Sequence, residues 1–98
     1  MALGRGKSSL TKQEAEMIGV AGLSYLAAEP ERIGRFLAIT RLGPENVRAA
    51  ARDPSFLPAL LDYLLANEKD LVSFAEEMNL DPAKVRAARD MLAPPAVL

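Results

Sequence analysis

The chain has 98 residues, with 12 basic and 13 acidic side chains and a net charge of −1, and it contains neither cysteine nor histidine. This length supports one small domain with a single core, and the balanced charge provides no long-range field that would attract nucleic acid or an anionic membrane. The missing cysteine and histidine exclude disulfides, thiol nucleophiles and the usual ligands of transition metals.

The first predicted element is a long apolar helix. Thr11 and Glu14 have the spacing of a capping box, which predicts that helix 1 opens here and covers residues 11–28. Its interior carries no charge and includes Gly19 and Gly22, each of which costs about 1 kcal/mol of helix propensity relative to alanine. We therefore expect a neighbouring helix close against the glycine face, and we expect helix 1 to be central and buried.

Two shorter helices are predicted next. Pro30 suits the first turn of helix 2, predicted over residues 30–41, because a proline there removes no intrahelical hydrogen bond. The pair Gly43-Pro44 then ends helix 2 and starts helix 3, predicted over residues 44–52. The side chains expected to face the core from helix 2 are Ile33, Phe36, Leu37 and Thr40.

The second half of the chain predicts three more helices. Helix 4, over residues 54–66, is apolar around more than half its circumference, and Pro58 predicts an irregular first turn. Asn67 is the expected cap of helix 5, over residues 68–78, and helix 6 follows over residues 82–92. The side chains expected to be buried in helix 5 are Leu71, Phe74, Ala75 and Met78.

Residues 23–53 and 61–91 are versions of one another, offset by 38 positions. Eleven of the aligned positions are identical. The matches include tyrosine, phenylalanine and proline, which are much less common here than alanine and leucine, so a biased composition does not explain them. The matching residues of the first copy are Leu23, Tyr25, Leu26, Ala28, Phe36, Leu42, Pro44, Val47, Arg48, Ala49 and Ala50. A repeat of this kind predicts a helical unit built twice and packed against itself.

Composition and repeat together predict the fold class. Alanine (17) and leucine (15) dominate while valine, isoleucine and threonine total 10, so we expect an all-α protein. About six helices should form two pseudo-equivalent three-helix units, residues 23–53 and 61–91, in one compact bundle. This single domain is expected over residues 10–93, between a flexible arm (1–9) and a short tail (94–98). Helices 1 and 4 should cross at the centre, with helices 2–3 and 5–6 outside around a pseudo-twofold axis, and the repeated tyrosines and phenylalanines should be core residues.

No set of residues in the sequence indicates catalysis or cofactor binding. The serines have no imidazole partner, no glycine-rich loop follows a strand, and the carboxylates are spaced for solvated helix faces. We therefore expect no enzyme activity, no catalytic residue, no metal site and no cofactor.

Two binding functions remain as alternatives to protein contacts. The stretch from Leu37 to Gly43, followed by a helix with Arg48 and Arg52, superficially resembles a helix-turn-helix and could belong to a nucleic-acid-associated protein. Its alanine and its Leu-Gly pair are separated by three residues instead of the usual two. The second copy of the repeat also places acidic residues such as Glu76 where phosphates would lie, which disfavours nucleic acid. The other alternative is a small apolar ligand bound between the two units.

The string LSYLAAEPERIGRFLAITRLGPENVRAAARDPSFLPALLDYLLANEKDLVSFAEEMNLDP contains moderately specific pieces, among them the R-F-L, D-P-x-F-L and L-D-Y-L-L motifs. Through these pieces residues 10–92 resemble a family of short bacterial proteins, mainly alphaproteobacterial, known as a domain of unknown function. The resemblance implies a small, cytoplasmic, all-helical protein and transfers no activity, substrate or binding residue.

The sequence thus leads us to expect a small non-catalytic helical module that acts through protein contacts in the cytoplasm. Its partner is an unknown protein or a second copy in a homodimer, and the charge balance disfavours both nucleic acid and membrane. The partner surface is expected on helices 2–3 or 5–6, because those helices carry the charged side chains and arginine is enriched at interfaces. The candidate residues of that surface are Arg32, Arg35, Arg48 and Arg52.

Overall fold

The computed structural model describes residues 10–93, and within them it contains six α-helices and one short 3₁₀ helix. The α-helices are α1 (Lys12–Ala27), α2 (Pro30–Thr40), α3 (Val47–Ala50), α4 (Phe56–Ala66), α5 (Glu68–Met78) and α6 (Pro82–Leu92), and the 3₁₀ helix covers Pro44–Asn46. The predicted all-α fold is confirmed for this part of the chain. The predicted arm (1–9) and tail (94–98) lie outside the described residues.

The start of α1 is fixed by the predicted capping box. The Thr11 hydroxyl accepts a hydrogen bond from the Glu14 N–H at 3.0 Å, and the Glu14 carboxylate accepts one from the Thr11 N–H at 3.0 Å. Two donors that the helix itself leaves unpaired are thereby satisfied.

The first turn of α4 is adjusted to a proline. The helix begins at Phe56, two residues later than predicted, so that Pro58 lies in the first turn, where no intrahelical N–H is required. The residues before the helix form a tight turn, in which the Asp53 carboxylate accepts hydrogen bonds from the N–H of Ser55 at 2.9 Å and from its hydroxyl at 2.8 Å. Asn67 stands at the N-cap position of α5, as predicted, but its side chain makes no capping hydrogen bond.

Helices α2 and α5 end in the same way. Arg41 and Asn79, which are 38 positions apart, follow these helices and both have left-handed backbone conformations, with φ of 62° and 56°. The leucines that come next, Leu42 and Leu80, donate their N–H groups to the carbonyl oxygens five residues earlier at 3.1 and 2.8 Å. This is the hydrogen-bonding pattern of a Schellman motif, and it turns the chain at equivalent positions of both copies.

The third helices of the two copies differ in length. Helix 3 was predicted as one helix over residues 44–52, but the structure has a 3₁₀ turn and then an α-helix of 4 residues. Its counterpart α6 has 11 residues and begins at a proper cap, because the Asp81 carboxylate accepts a hydrogen bond from the Ala83 N–H at 2.9 Å. The equivalent residue of the first copy is Gly43, which has no side chain to provide such a cap.

Helices α1, α4 and α6 pack against one another. Helix α6 packs against both α1 and α4 through Val85 and Ala88, which are completely buried, while most of its other residues are exposed. The predicted arrangement, with the remaining helices outside a central pair of helices 1 and 4 around a pseudo-twofold axis, stays a prediction.

At the crossing of α1 and α4, glycine in one helix faces leucine in the other. A β-carbon added to Gly19 would lie 3.1 Å from a methyl group of Leu57, and one added to Gly22 would lie 2.9 Å from a methyl group of Leu60. The predicted close approach of a neighbouring helix to the glycine face of helix 1 is thus confirmed. Each glycine faces the residue 38 positions later, a separation equal to the offset of the repeat, although these residues lie outside the repeated stretches themselves.

The repeated aromatic residues form two reciprocal pairs in the core. Tyr25 packs edge-on against Phe74 with 5.6 Å between ring centroids, and Phe36 packs in the same manner against Tyr63 at 5.4 Å. All four are at most 8% exposed, which confirms their predicted burial. Reciprocal contacts are what a pseudo-twofold arrangement would produce, and superposition of the two units stays a prediction.

Candidate interaction surface

One side of α1 is an exposed apolar surface. Met17 is 63% exposed and Val20 is 54% exposed, although both lie in the part of the helix that carries no charge. Along the helix they are flanked by small exposed residues, Ser24 and Ala27, and beside them Ala21 is half-buried. We call these five residues the α1 apolar face. Exposed apolar residues that cluster in this way mark contact surfaces more often than single exposed ones do.

An open groove extends the α1 apolar face toward α5 and α6. It encloses about 350 Å³ and is lined mainly by apolar side chains. The lining residues are Leu10, Glu14, Met17, Ile18, Ala21, Met78, Leu80 and Lys84. Met78, at the end of α5, is 43% exposed, so flexible methionine side chains stand at both rims of the groove. Methionine adapts its shape to different apolar partners, which suits a contact surface.

The α1 apolar face has an equivalent side on α4. In the second copy, α6 packs along α4 and its Arg89 binds Asp62 of α4, with 2.6 Å between Nε and a carboxylate oxygen. The residue of α1 equivalent to Asp62 is Ser24, and Ser24 is exposed. The residues 38 positions after Met17, Ala21 and Ser24 are Ser55, Ala59 and Asp62, and these three are exposed as well. This side thus faces solvent in both copies, but in α1 it carries large apolar side chains.

These exposures correct two predictions from the sequence. Helix 1 was expected to be buried, but only its side toward α4 and α6 is, with Met17 and Val20 turned to solvent. Met78 was expected in the core of helix 5 and is likewise exposed, while Phe74 and Ala75 are buried as predicted. The signal in the sequence is the uncharged stretch of residues 17–28 in helix 1, which places apolar or small residues on all sides of the helix.

The arginines predicted to form a partner surface do not all lie together. Arg32 and Arg35 line one cleft beside Tyr25, whereas Arg52 lines a different one near the start of α1. Arg48 is exposed on α3. That these four residues bind a partner stays a prediction.

Arg32 also has a structural role. Its guanidinium group lies 4.0 Å from the centroid of the Tyr25 ring and donates a hydrogen bond to the Tyr25 carbonyl oxygen at 3.2 Å. A cation over an aromatic face stabilises the pair by about 0.5–1 kcal/mol at an exposed site, so Arg32 attaches the start of α2 to the end of α1.

The titratable groups of the described residues are distributed over the surface. Hydrogen bonds from the backbone and hydroxyl of Ser55 lower the pKa of the Asp53 carboxyl. Hydrogen bonds to Asp62 and Asp90 raise the pKa of the Arg89 guanidinium. Within residues 10–93 no group of three acidic, histidine or cysteine side chains is placed to hold a metal ion, and the expected lack of metal and of enzyme activity stays a prediction.

None of the described helices has the length and apolar character needed to cross a bilayer.

Comparison with known proteins gives one assignment. No curated protein and no solved structure matched the chain significantly. The model of one family, described as a protein of unknown function (DUF3572), matches residues 12–95, which include all six helices. The chain therefore belongs to the DUF3572 family.

Proposed function

We propose that this protein is a small non-catalytic interaction module that binds a partner helix on the α1 apolar face. The observation that carries the proposal is the exposure of Met17 and Val20 beside the groove toward Met78. Burial of an exposed methionine or valine side chain stabilises a complex by about 1.5–3 kcal/mol when it is complete.

The shape of the surface supports a helix as the bound element. The α1 apolar face is a straight row at helical spacing, and a second helix packs against such a row with its own ridge of side chains. The equivalent side of α4 is also exposed but carries small or polar residues, Ser55, Ala59 and Asp62, so it offers no comparable apolar row.

The two alternative functions find less support. At the crossing of α1 and α4 even a β-carbon added to Gly19 or Gly22 would lie only 3.1 or 2.9 Å from a leucine methyl group, so an apolar ligand has no room between the glycines and these leucines. The helix expected to contact nucleic acid is α3, whose 4 residues make only one turn. We also propose a cytoplasmic location, since the chain contains no cysteine that would form the disulfides frequent outside the cytoplasm.

The proposal can be tested by site-specific crosslinking in cells that produce the protein. A photoreactive amino acid at position 20 should form protein adducts, and the same amino acid at position 39 should not. Ile39 is the matched control because it is an apolar residue on α2 with the same 63% exposure as Met17. Met17→Glu should abolish the adducts at position 20 while the helical content and the melting temperature stay unchanged, because this side chain faces solvent.

Two results would contradict the proposed surface. Equal adduct formation at positions 20 and 39 would show that the α1 apolar face has no preference for a partner. Loss of the adducts in a double variant, Arg35→Glu with Arg48→Glu, but not in Met17→Glu would instead favour the arginine surface predicted from the sequence.

A further inference from the structure

We infer that the partner helix is α1 of a second copy, bound antiparallel about a twofold axis at Val20. This inference rests on the proposed function, because it names the partner of the same surface. Helix α1 has 16 residues, Lys12–Ala27, and Val20 lies at its midpoint on the exposed side. An antiparallel partner centred there would align residues 13–27 of the two copies, a stretch that includes the α1 apolar face.

Side-chain size along α1 suits this arrangement. When Val20 stands opposite Val20 in an antiparallel pair, any two residues that face each other have numbers that sum to about 40. Met17 of one chain therefore lies between Ala21 and Ser24 of the other. The large exposed side chain of each copy thus meets small residues of the other. Gln13 similarly stands opposite Ala27. Small residues opposite a large one allow two helices to approach closely.

The distribution of charge favours the antiparallel over the parallel direction. The charged residues of α1, Lys12, Glu14 and Glu16, are all in its first half, and its last turn contains no basic residue. In a parallel pair Glu16 would face Glu16 and Lys12 would face Lys12. In the antiparallel pair each charged half faces an uncharged half, and Lys12 lies near the carboxyl end of the other helix, where the helix dipole attracts a cation.

The size of the surface indicates a weak dimer. A 16-residue helix is about 24 Å long, and one helix face of this length buries less than the roughly 1,200 Å² of a standard stable interface. We therefore expect dissociation constants on the order of micromolar or higher.

A cysteine-crosslinking experiment tests this geometry directly, because the chain contains no native cysteine. Val20→Cys should form a disulfide-linked dimer under mild oxidation, since a residue on the twofold axis meets its own copy. Ser24→Cys should not, because the two copies of position 24 would be about 12 Å apart along the helix, which exceeds the reach of a disulfide. Ile39→Cys on α2 serves as the control for random collision.

Charge substitution at the same position gives a second, independent readout. Val20→Glu and Val20→Lys should each weaken self-association by about tenfold or more in sedimentation equilibrium. An equimolar mixture of the two variants should associate again, because the axis then joins opposite charges. A variant that had lost its fold would not associate in the mixture. Restored association would therefore show that position 20 of one chain meets position 20 of the other.

The outcomes separate this inference from the proposed function. A chain that stays monomeric at millimolar concentration and forms no Val20→Cys dimer would overturn the homodimer, even if crosslinks from position 20 to another protein still support the interaction module. Dimers of Ser24→Cys as abundant as those of Val20→Cys would overturn the antiparallel direction. Failure of both the crosslinks in cells and the self-association would overturn both proposals.

Discussion

The Tyr63 ring packs edge-on against Phe36 at 5.4 Å between centroids, while the Tyr63 hydroxyl is buried and has no hydrogen-bond partner among the described residues. A buried polar group without a partner destabilises the folded state by about 1–3 kcal/mol. We therefore expect Tyr63→Phe to leave the free energy of unfolding unchanged or to raise it by about 1 kcal/mol, as measured by urea denaturation.

The equivalent residue provides the control for that prediction. Tyr25→Phe leaves the aromatic contact with Phe74 in place, and no unpaired buried oxygen is present there to be removed. A loss of stability in Tyr63→Phe that exceeds the loss in Tyr25→Phe would show that the Tyr63 hydroxyl is hydrogen-bonded in solution.

The glycines of α1 and α2 should respond in opposite ways to alanine. Gly22→Ala would place a β-carbon 2.9 Å from a methyl group of Leu60 and 3.2 Å from one of Leu64, and both leucines are completely buried, so they would have to shift within a packed core. Overpacking of about 1–3 kcal/mol should exceed the gain in helix propensity of about 1 kcal/mol, so the melting temperature should fall. Gly34→Ala in α2 has nothing within 4 Å of the new β-carbon and should raise it. Equal effects of the two substitutions would contradict the close crossing of α1 and α4.

The residue that ends α2 offers a stabilising substitution. Arg41 has φ of 62°, a conformation that costs a non-glycine residue roughly 1 kcal/mol. Arg41→Gly should therefore raise the free energy of unfolding by about 0.5–1 kcal/mol. Arg41→Val should lower it, because a β-branched side chain tolerates this conformation poorly. Denaturant titration of both variants checks the prediction. A lower free energy of unfolding in Arg41→Gly would show that contacts of the Arg41 side chain stabilise the protein by more than its backbone conformation destabilises it.

The turn before α4 predicts a pH dependence. The pKa of the Asp53 carboxyl is lowered in the folded protein, because Ser55 donates two hydrogen bonds to the ionised form. A carboxyl with a lowered folded pKa contributes stability above its unfolded pKa, and this contribution is lost as the pH falls through the folded value. Carboxyl NMR titration should find the Asp53 pKa below the ordinary aspartate value, 3.8.

Substitution of Ser55 separates the two hydrogen bonds of that turn. Ser55→Ala removes the hydroxyl donor and keeps the backbone N–H, which is the larger cause of the shift. The Asp53 pKa should therefore rise in this variant but stay below the ordinary value. An unchanged pKa would show that the hydroxyl bond does not form in solution.

Local signals in the sequence predicted the helices well. The Thr11–Glu14 capping box is formed, α5 and α6 have the predicted bounds, and the displaced start of α4 follows from Pro58. The glycines of helix 1 correctly indicated a close neighbour, because glycine inside a helix is tolerated best where another helix needs the space. Such signals depend on residues within one or two helical turns of each other, so they can be recognised without knowledge of the tertiary structure.

The open side of α1 could not be predicted in the same way. Apolar periodicity shows which residues can be buried, but whether Met17 and Val20 are buried depends on which helices of the fold reach that side of α1. The third helices also differ in a way that the repeat did not indicate, since α3 ends at Ala50 while α6 continues to Leu92. Both third helices share the same Pro-x-x-Val-Arg-Ala-Ala pattern, so their different roles were hidden by the repeat.

The close approach of Gly19 to Leu57 and of Gly22 to Leu60 sets a small residue on one helix against a large one on the other. Two identical chains that crossed where each residue meets its own copy would place glycine against glycine or leucine against leucine. Because α1 and α4 belong to one polypeptide, each side of their crossing can change independently. A single chain thus permits a large-to-small fit that identical helices could not make at such a position.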